Sequence, residues 1–206
     1  MKISGLLRQT WAGLRIMIVL TVLLGLIYPL AVWGVSRLPG LQAKAEGSIE
    51  QVDGKPVGSS LIGLNPTGDA YFHTRASALA TDDSGLGAND DSSSLASNLG
   101  ASNPALVKQI AARKAFIAKR EGVSPSQVPA DAVTASGSGV DPDISPDYAD
   151  LQIARVARVN GLTVAQVQQL VDQNTQGRSL GFIGEPVVDV PALNLAVKQA
   201  RWTAKK

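Results

Sequence analysis

The residues best suited by type and spacing to do chemistry lie in one run, Asp141-Pro142-Asp143-Ile144-Ser145-Pro146-Asp147, where three carboxylates flank two prolines. Hard carboxylate oxygens brought together in a loop can hold a divalent cation. The same acids serve equally well as turn caps and as negative charge at the positive end of a following helix. Just upstream, Thr134-Ala135-Ser136-Gly137-Ser138-Gly139 has the small-residue composition that can turn backbone amides toward an anion, or simply forms a turn. His73 is the single histidine, which excludes a multi-histidine zinc site and leaves little room for a Ser-His-Asp arrangement. The absence of cysteine excludes disulfides, thiol nucleophiles and thiolate metal ligands. The chain contains no H-E-x-x-H pair or P-loop.

The elements that would position these residues announce themselves by their caps. Asn103-Pro104 opens a helix to about Arg120, with Leu106, Val107, Ile110 and Ile117 as its apolar stripe. Ser124-Pro125-Ser126-Gln127 and Thr163-Val164-Ala165-Gln166 both read as capping boxes opening helices. Ser145-Pro146 starts another helix that Asn160-Gly161 stops, with Ile153, Val156, Ala157 and Val159 directed to a core. Val57 to Leu64 and Pro186 to Val190 read as strands, and Leu193 to Gln199 as a last helix. Between Ala80 and Asn103 runs a low-complexity loop with Asp82-Asp83, Asp90-Asp91 and three serines, either mobile or folded against the rest.

Ahead of all this stands one uncharged apolar stretch, Ile16 to Ser36, between Arg15 and Arg37. At ~1.5 Å per residue it crosses the ~30 Å hydrocarbon layer, so the chain reads as a single-pass membrane protein. Lys2, Arg8 and Arg15 precede it without an acidic residue, whereas Glu46, Glu50 and Asp53 balance the basic residues beyond it. The positive-inside rule therefore expects residues 1–15 in the cytoplasm, 16–36 in the membrane and 37–206 as a soluble domain outside, periplasmic where a periplasm exists. The competing reading is a signal peptide cleaved near Ala43-Lys44-Ala45, which would need an apolar region about twice the usual ~7–15 residues. Trp11 and Trp33 suit the two interfaces, Pro29 can kink the helix, and Thr21 with Gly25 forms a small-xxx-small pair able to pack on another membrane helix.

The expected fold class is α+β: one N-terminal transmembrane helix followed by one mixed helix and strand extracytoplasmic domain. With 19 basic and 17 acidic residues, a net charge of +2 gives no nucleic-acid footprint, so membrane lipid and protein are the expected partners. A stand-alone membrane-tethered envelope enzyme or binding protein stays open at this level.

Four segments carry a resemblance. Val128 to Asn160, VPADAVTASGSGVDPDISPDYADLQIARVARVN, resembles the hallmark block of the C subunit of the bacterial Kdp-type potassium-transporting ATPase. YFHTRASA from Tyr71, SNLGASNPAL from Ser97 and LGFIGEPVVDVPALNLAV from Leu180 match in the expected order. The chain departs from the family pattern at Thr74 and Ala76, where glycine and proline are usual, and at Asp143, where histidine is frequent.

The resemblance implies a non-catalytic subunit of an ATP-driven, high-affinity potassium uptake pump in the bacterial inner membrane. Its partners would be a channel-like potassium-translocating subunit and a P-type ATPase subunit, with ATP and potassium handled by the complex and no cofactor bound by this chain. The phosphorylation motif Asp-Lys-Thr-Gly of such an ATPase is absent here. One mechanism attached to the family is an external cap that stabilises assembly. On that reading Tyr71, Phe72, His73 and the loop with Ser136, Gly137, Ser138, Gly139 and Asp141 are the interface candidates, with Thr21 and Gly25 inside the membrane. The other mechanism is a catalytic chaperone that raises ATP affinity through a nucleotide-contacting glutamine, here Gln152. For Gln152 the plain reading is a polar residue on a solvated helix face, and for the acidic pairs of the 80–103 loop a solvated loop instead of a focus for potassium.

Overall fold

The computed structural model describes residues 3–52, 54–82, 84–89 and 92–204. Lys2, Asp53, Asp83, Asp90 and Asp91, named above, lie outside the described residues. The chain divides into two compact units, Met1–Ile49 and Glu50–Lys206.

The first unit is built on one long helix. Helix α1 (Ile3–Val22) passes through a widened π turn, Leu23–Ile27, into α2 (Tyr28–Ser36). Ser4–Ser36 forms a candidate membrane span with a mean hydropathy of 2.4 and no buried residues in its most apolar window. The π turn has a local cause. Pro29 brings no N–H and its ring crowds the carbonyl four residues back, and a turn closed by Tyr28 N–H on the Leu23 carbonyl makes the room. The expected kink at Pro29 is thus taken up as a widened turn one step earlier. Arg15 lies over the Trp11 ring at 5.5 Å and Arg37 over Trp33 at 5.3 Å, so each end of the apolar stretch carries a tryptophan capped by a guanidinium. Ala43-Lys44-Ala45 belongs to a short helix α3 (Gln42–Ala45).

The second unit is the mixed domain. Strands β1 (Ile49–Val52) and β2 (Lys55–Ser59) form a two-stranded sheet. Helix α4 (Pro104–Glu121) opens on Asn103, whose side chain accepts the Ala105 N–H, and closes on Gly122 at φ +72°. A single 3₁₀ turn, Pro125–Gln127, and the short α5 (Ala130–Val133) follow. The capping box at Ser124 forms with both of its hydrogen bonds, yet it opens only this one turn, because Pro129 cannot continue a helix. Strand β3 (Asp143–Ile144) leads to α6 (Pro146–Asn160), which Gly161 ends at φ +69°, and the Thr163 capping box starts α7 (Val164–Gln173). Strand β4 (Thr175–Gln176), strand β5 (Val187–Asp189) and helix α8 (Val190–Ala204) complete it. The antiparallel sheet has the order β3-β5-β4, with Asp143 opposite Asp189 and Thr175 opposite Val188.

The core gathers Phe72, Ile117, Tyr148, Ile153, Val156, Val167, Val188 and Leu193 around α6, which is buried on most of its circumference. Sequence periodicity erred at its margins. Val107 and Val159 are exposed at the edges of stripes whose Ile110, Ile117, Ile153, Val156 and Ala157 do face the core, and the predicted 57–64 strand ends at Ser59 with Leu61 and Leu64 facing outward. The last helix is longer than expected, because Pro191 stands in its first turn, where a proline is tolerated.

Candidate functional site

The hallmark segments meet along one extended piece of chain, Asp69 to Ser77, that pairs with side chains in place of neighbouring strands. In an extended chain the N–H and C=O of one residue point to one side and those of the next to the other. Phe72 turns its pair to α8: its N–H donates to Asn194 Oδ1 at 2.7 Å, and its carbonyl accepts from Asn194 Nδ2 at 2.9 Å. His73 turns its pair to α6: its N–H donates to Gln152 Oε1 at 2.8 Å, and its carbonyl accepts from Gln152 Nε2 at 3.2 Å. Each carboxamide replaces the peptide group of an adjacent strand. Arg155 holds the Asp69 and Tyr71 carbonyls at 2.6 and 2.9 Å, and Asn160 Nδ2 holds the Ala70 carbonyl at 2.7 Å.

Gln152 is therefore neither on a solvated face nor open to a ligand as the domain stands. It is 0% exposed. Besides the His73 pair, its Oε1 accepts from Arg155 at 2.8 Å and its Nε2 donates to the Tyr148 carbonyl at 3.3 Å, so both donors and both acceptor sites are engaged. Phe72 and His73 are likewise interior, and only Tyr71 of that trio reaches the surface in part.

Around this clamp lies a buried ionic cluster. The Glu121 carboxylate, fully enclosed, accepts from Arg155 Nε at 2.9 Å and from Arg120 Nε at 2.8 Å, and Arg120 also donates to the Tyr148 hydroxyl at 3.1 Å. Burial pushes the Tyr148 hydroxyl above its ordinary pKa. Two guanidiniums against one carboxylate leave excess positive charge close to His73. Burial first, then Arg120 and Arg155, take the His73 imidazole down to a pKa of about 2, which favours the neutral ring. It spans Asn65 Oδ1 at 2.9 Å and the Gly68 carbonyl at 3.1 Å.

The serine and glycine loop directs its amides inward as well. Ser136, 2% exposed, accepts the Gly139 N–H at 2.9 Å and the Ser138 N–H at 3.2 Å on its hydroxyl, and the Ser138 hydroxyl accepts the Val140 N–H. These amides are taken by the loop's own serines, so the loop closes as a turn. Gly139 stands at φ +79°, and a Cβ there would lie 2.7 Å from the Leu95 carbonyl, so only glycine fits. Gly137 and Ser138 face outward. Asp141 pairs with Arg75 at 3.0 Å and accepts the Asp143 N–H, which makes it a turn-forming acid tied to the clamped segment. Asp147 lies in the first turn of α6, where an acid favours the helix dipole. Among the described residues no group of three His, Asp or Glu could hold a metal ion. Thr21 and Gly25 share a face of the N-terminal helix, 3.9 Å apart from the Thr21 methyl to a Gly25 Cβ position.

The described part of the 80–103 loop folds against the hallmark block. Asn89 Nδ2 donates to the Gly63 and Gly139 carbonyls at 3.1 Å each, Leu95 N–H to the Ser138 carbonyl at 2.9 Å, and Leu86 is buried. Arg113 reaches over from α4 to the Ser84 and Val133 carbonyls at 2.6 and 3.1 Å. Sequence reasoning missed Asn65, Asn89, Arg113, Arg155, Asn160 and Asn194. The available signal was a polar residue sitting within an otherwise apolar helical stripe, as with Gln152 and Arg155 beside Ile153 and Val156.

Comparison with known proteins supplies the context for this scaffold. The family model described as K+-transporting ATPase, c chain, matches residues 10–199. A protein of Kineococcus radiotolerans named potassium-transporting ATPase KdpC subunit is 46% identical over 200 residues, covering 97% of this chain and 98% of its own length. Proteins of the same name from Streptomyces avermitilis and Caldanaerobacter subterraneus are 46% and 44% identical, and each alignment covers at least 94% of both chains. The order of clamped segment, serine and glycine turn, α6 and α8 thus stands in a chain that belongs to the KdpC family, the c chains of potassium-transporting ATPases.

Proposed function

We propose that this chain is a non-catalytic accessory subunit of its potassium-transporting ATPase, acting as an external cap that stabilises assembly of the channel-like and P-type ATPase subunits. Residues 1–15 would lie in the cytoplasm, 16–36 in the inner membrane and 37–206 outside, as the basic residues before the span favour. The observation that carries the reading is the full engagement of Gln152 inside the domain. A carboxamide whose donors and acceptors are all taken by its own domain is suited to holding a surface in shape. Tyr71, Gly137, Ser138 and Asp141 are the parts of that surface we assign to a partner, with Thr21 and Gly25 as the membrane contact. Phe72, His73, Ser136 and Gly139 act behind them, by fixing the loops.

The family's second mechanism, a chaperone that raises ATP affinity through Gln152, would require breaking four internal hydrogen bonds to free that carboxamide. We therefore assign any effect on ATP affinity to coupling through the assembled complex. The test is to express the remaining subunits of the ATPase with and without this chain and to follow the complex by size-exclusion chromatography in mild detergent. The cap reading expects the other subunits to separate when this chain is missing. A complete complex that forms without it and only binds ATP more weakly would overturn the reading.

A further inference from the structure

Between β4 and β5 the chain forms a short arm that contributes nothing to the core or the clamp. Ser179 and Ile183 exchange two backbone hydrogen bonds of 2.9 Å each, and Arg178 meets Glu185 across the base at 2.5 Å. Leu180 stands at φ +54° and Gly181 at φ +82°, so a leucine occupies the left-handed region that bulky side chains seldom enter. The tip is thus a defined turn. It presents Leu180 at 83%, Phe182 at 72% and Ile183 at 51% exposure. Turn residues with nothing to bind are ordinarily Gly, Asn, Asp or Ser, and adjoining exposed apolar side chains mark contact sites.

Charge and area select the occupant. A lipid surface draws in arms with basic flanks, whereas this arm carries one arginine and one glutamate at its base and no net charge. For a second copy in solution the tip is too small. Three side chains of this size present on the order of 400 Å², about half of the ~800 Å² per partner that a stable interface buries. So small a contact holds when the partner is already kept nearby, as between chains anchored in one membrane. This chain has a candidate span and belongs to a family of multi-subunit pump chains.

We propose that the Arg178–Glu185 arm inserts Leu180, Phe182 and Ile183 into an uncharged apolar cleft on the extramembrane face of another membrane-embedded subunit of the potassium-transporting ATPase. The polar base would form the rim around an apolar anchor. This inference rests on the accessory-subunit reading above and names the surface that reading uses.

The test uses the full-length chain co-expressed with the other subunits. Leu180→Ser combined with Phe182→Ser should cut co-purification of the other subunits at least tenfold, while the amount of chain in the membrane and its thermal unfolding stay unchanged. With the photo-crosslinker p-benzoylphenylalanine replacing Phe182, the adduct should be with another subunit. Undiminished co-purification of the double variant would overturn the proposal, as would an adduct only with lipid or with a second copy. If the unmodified chain co-purifies with no other subunit, the accessory reading itself fails. If the unmodified chain does co-purify with the other subunits and the double variant does too, only the arm is refuted.

Discussion

Replacing Gln152 by leucine separates a clamp from a ligand contact. Leucine fills nearly the same space and keeps α6 helical, but it removes the acceptor for the His73 N–H and the donor for the His73 carbonyl, both buried. It also strips one acceptor from the Arg155 guanidinium, while the Tyr148 carbonyl keeps its helical partner. Each buried group left unpaired costs ~1–3 kcal/mol, and the more apolar side chain offsets part of that, for a net loss of about 3 kcal/mol. In a domain of this size 1 kcal/mol moves the melting temperature by ~2–4 °C, so Gln152→Leu should lower it by roughly 6–12 °C. Far-UV circular dichroism of the full-length protein in detergent reads the change. Gln152→Glu, which retains both acceptor contacts and loses both donors, should fall between wild type and Gln152→Leu. A melting point within about 2 °C of wild type, together with a raised KM for ATP in the assembled pump, would refute the clamp and restore Gln152 as a nucleotide contact.

Two further predictions follow from the loops that the clamp holds. A Cβ on Gly63 would lie 2.2 Å from the Asp141 carbonyl oxygen, and the Gly63 N–H bonds the Val140 carbonyl, so Gly63→Ala should cost about 2–4 kcal/mol, measured by urea unfolding. Asp143 faces Asp189 across β3 and β5. Burial first, then Asp141 and Asp189, raise the Asp143 pKa, and burial raises that of Asp189. A carboxyl with a raised folded-state pKa supports the fold below its unfolded pKa near ~4 and loses that support as pH rises through the folded value. At neutral pH the two charges oppose each other, so Asp143→Asn should stabilise by about 0.5 kcal/mol and the gain should vanish below about pH 4. A destabilised Asp143→Asn at pH 7 would mean that the carboxylate has a partner the cross-strand geometry does not account for.

What could be read from sequence was whatever depends on neighbours in the chain. Asn103, Ser145 and Thr163 start helices because cap and first turn lie within four residues, and Gly122 and Gly161 end them for the same reason. The Ser124 box failed as a helix start because the competing Pro129 lies just past the window the motif describes. The candidate site was legible as segments but not as geometry. Gln152 meets His73 from 79 residues away and Asn194 meets Phe72 from 122, and no local pattern encodes pairing at that distance. An asparagine or glutamine among apolar positions is the only trace such pairing leaves. Ser136 and Gly139 likewise read in sequence as a turn, plain or anion-binding, because Ala76, Ser77 and Leu95, which pack into it, lie far back in the chain.

The side of the membrane on which the hallmark block sits decides most directly between cap and nucleotide chaperone. The cysteine-free chain allows a single probe, and Gly137 suits it, being exposed with open space at its Cβ position, whereas Ser136 beside it is buried. Gly137→Cys, expressed with the other pump subunits, would be treated with a membrane-impermeant maleimide in cells whose outer membrane is permeabilised, with fully lysed cells as the reference. The account predicts labelling in the intact-inner-membrane cells equal to that after lysis, which puts the block beyond reach of cytoplasmic ATP. Labelling only after the inner membrane is opened would contradict it and place the domain on the nucleotide side.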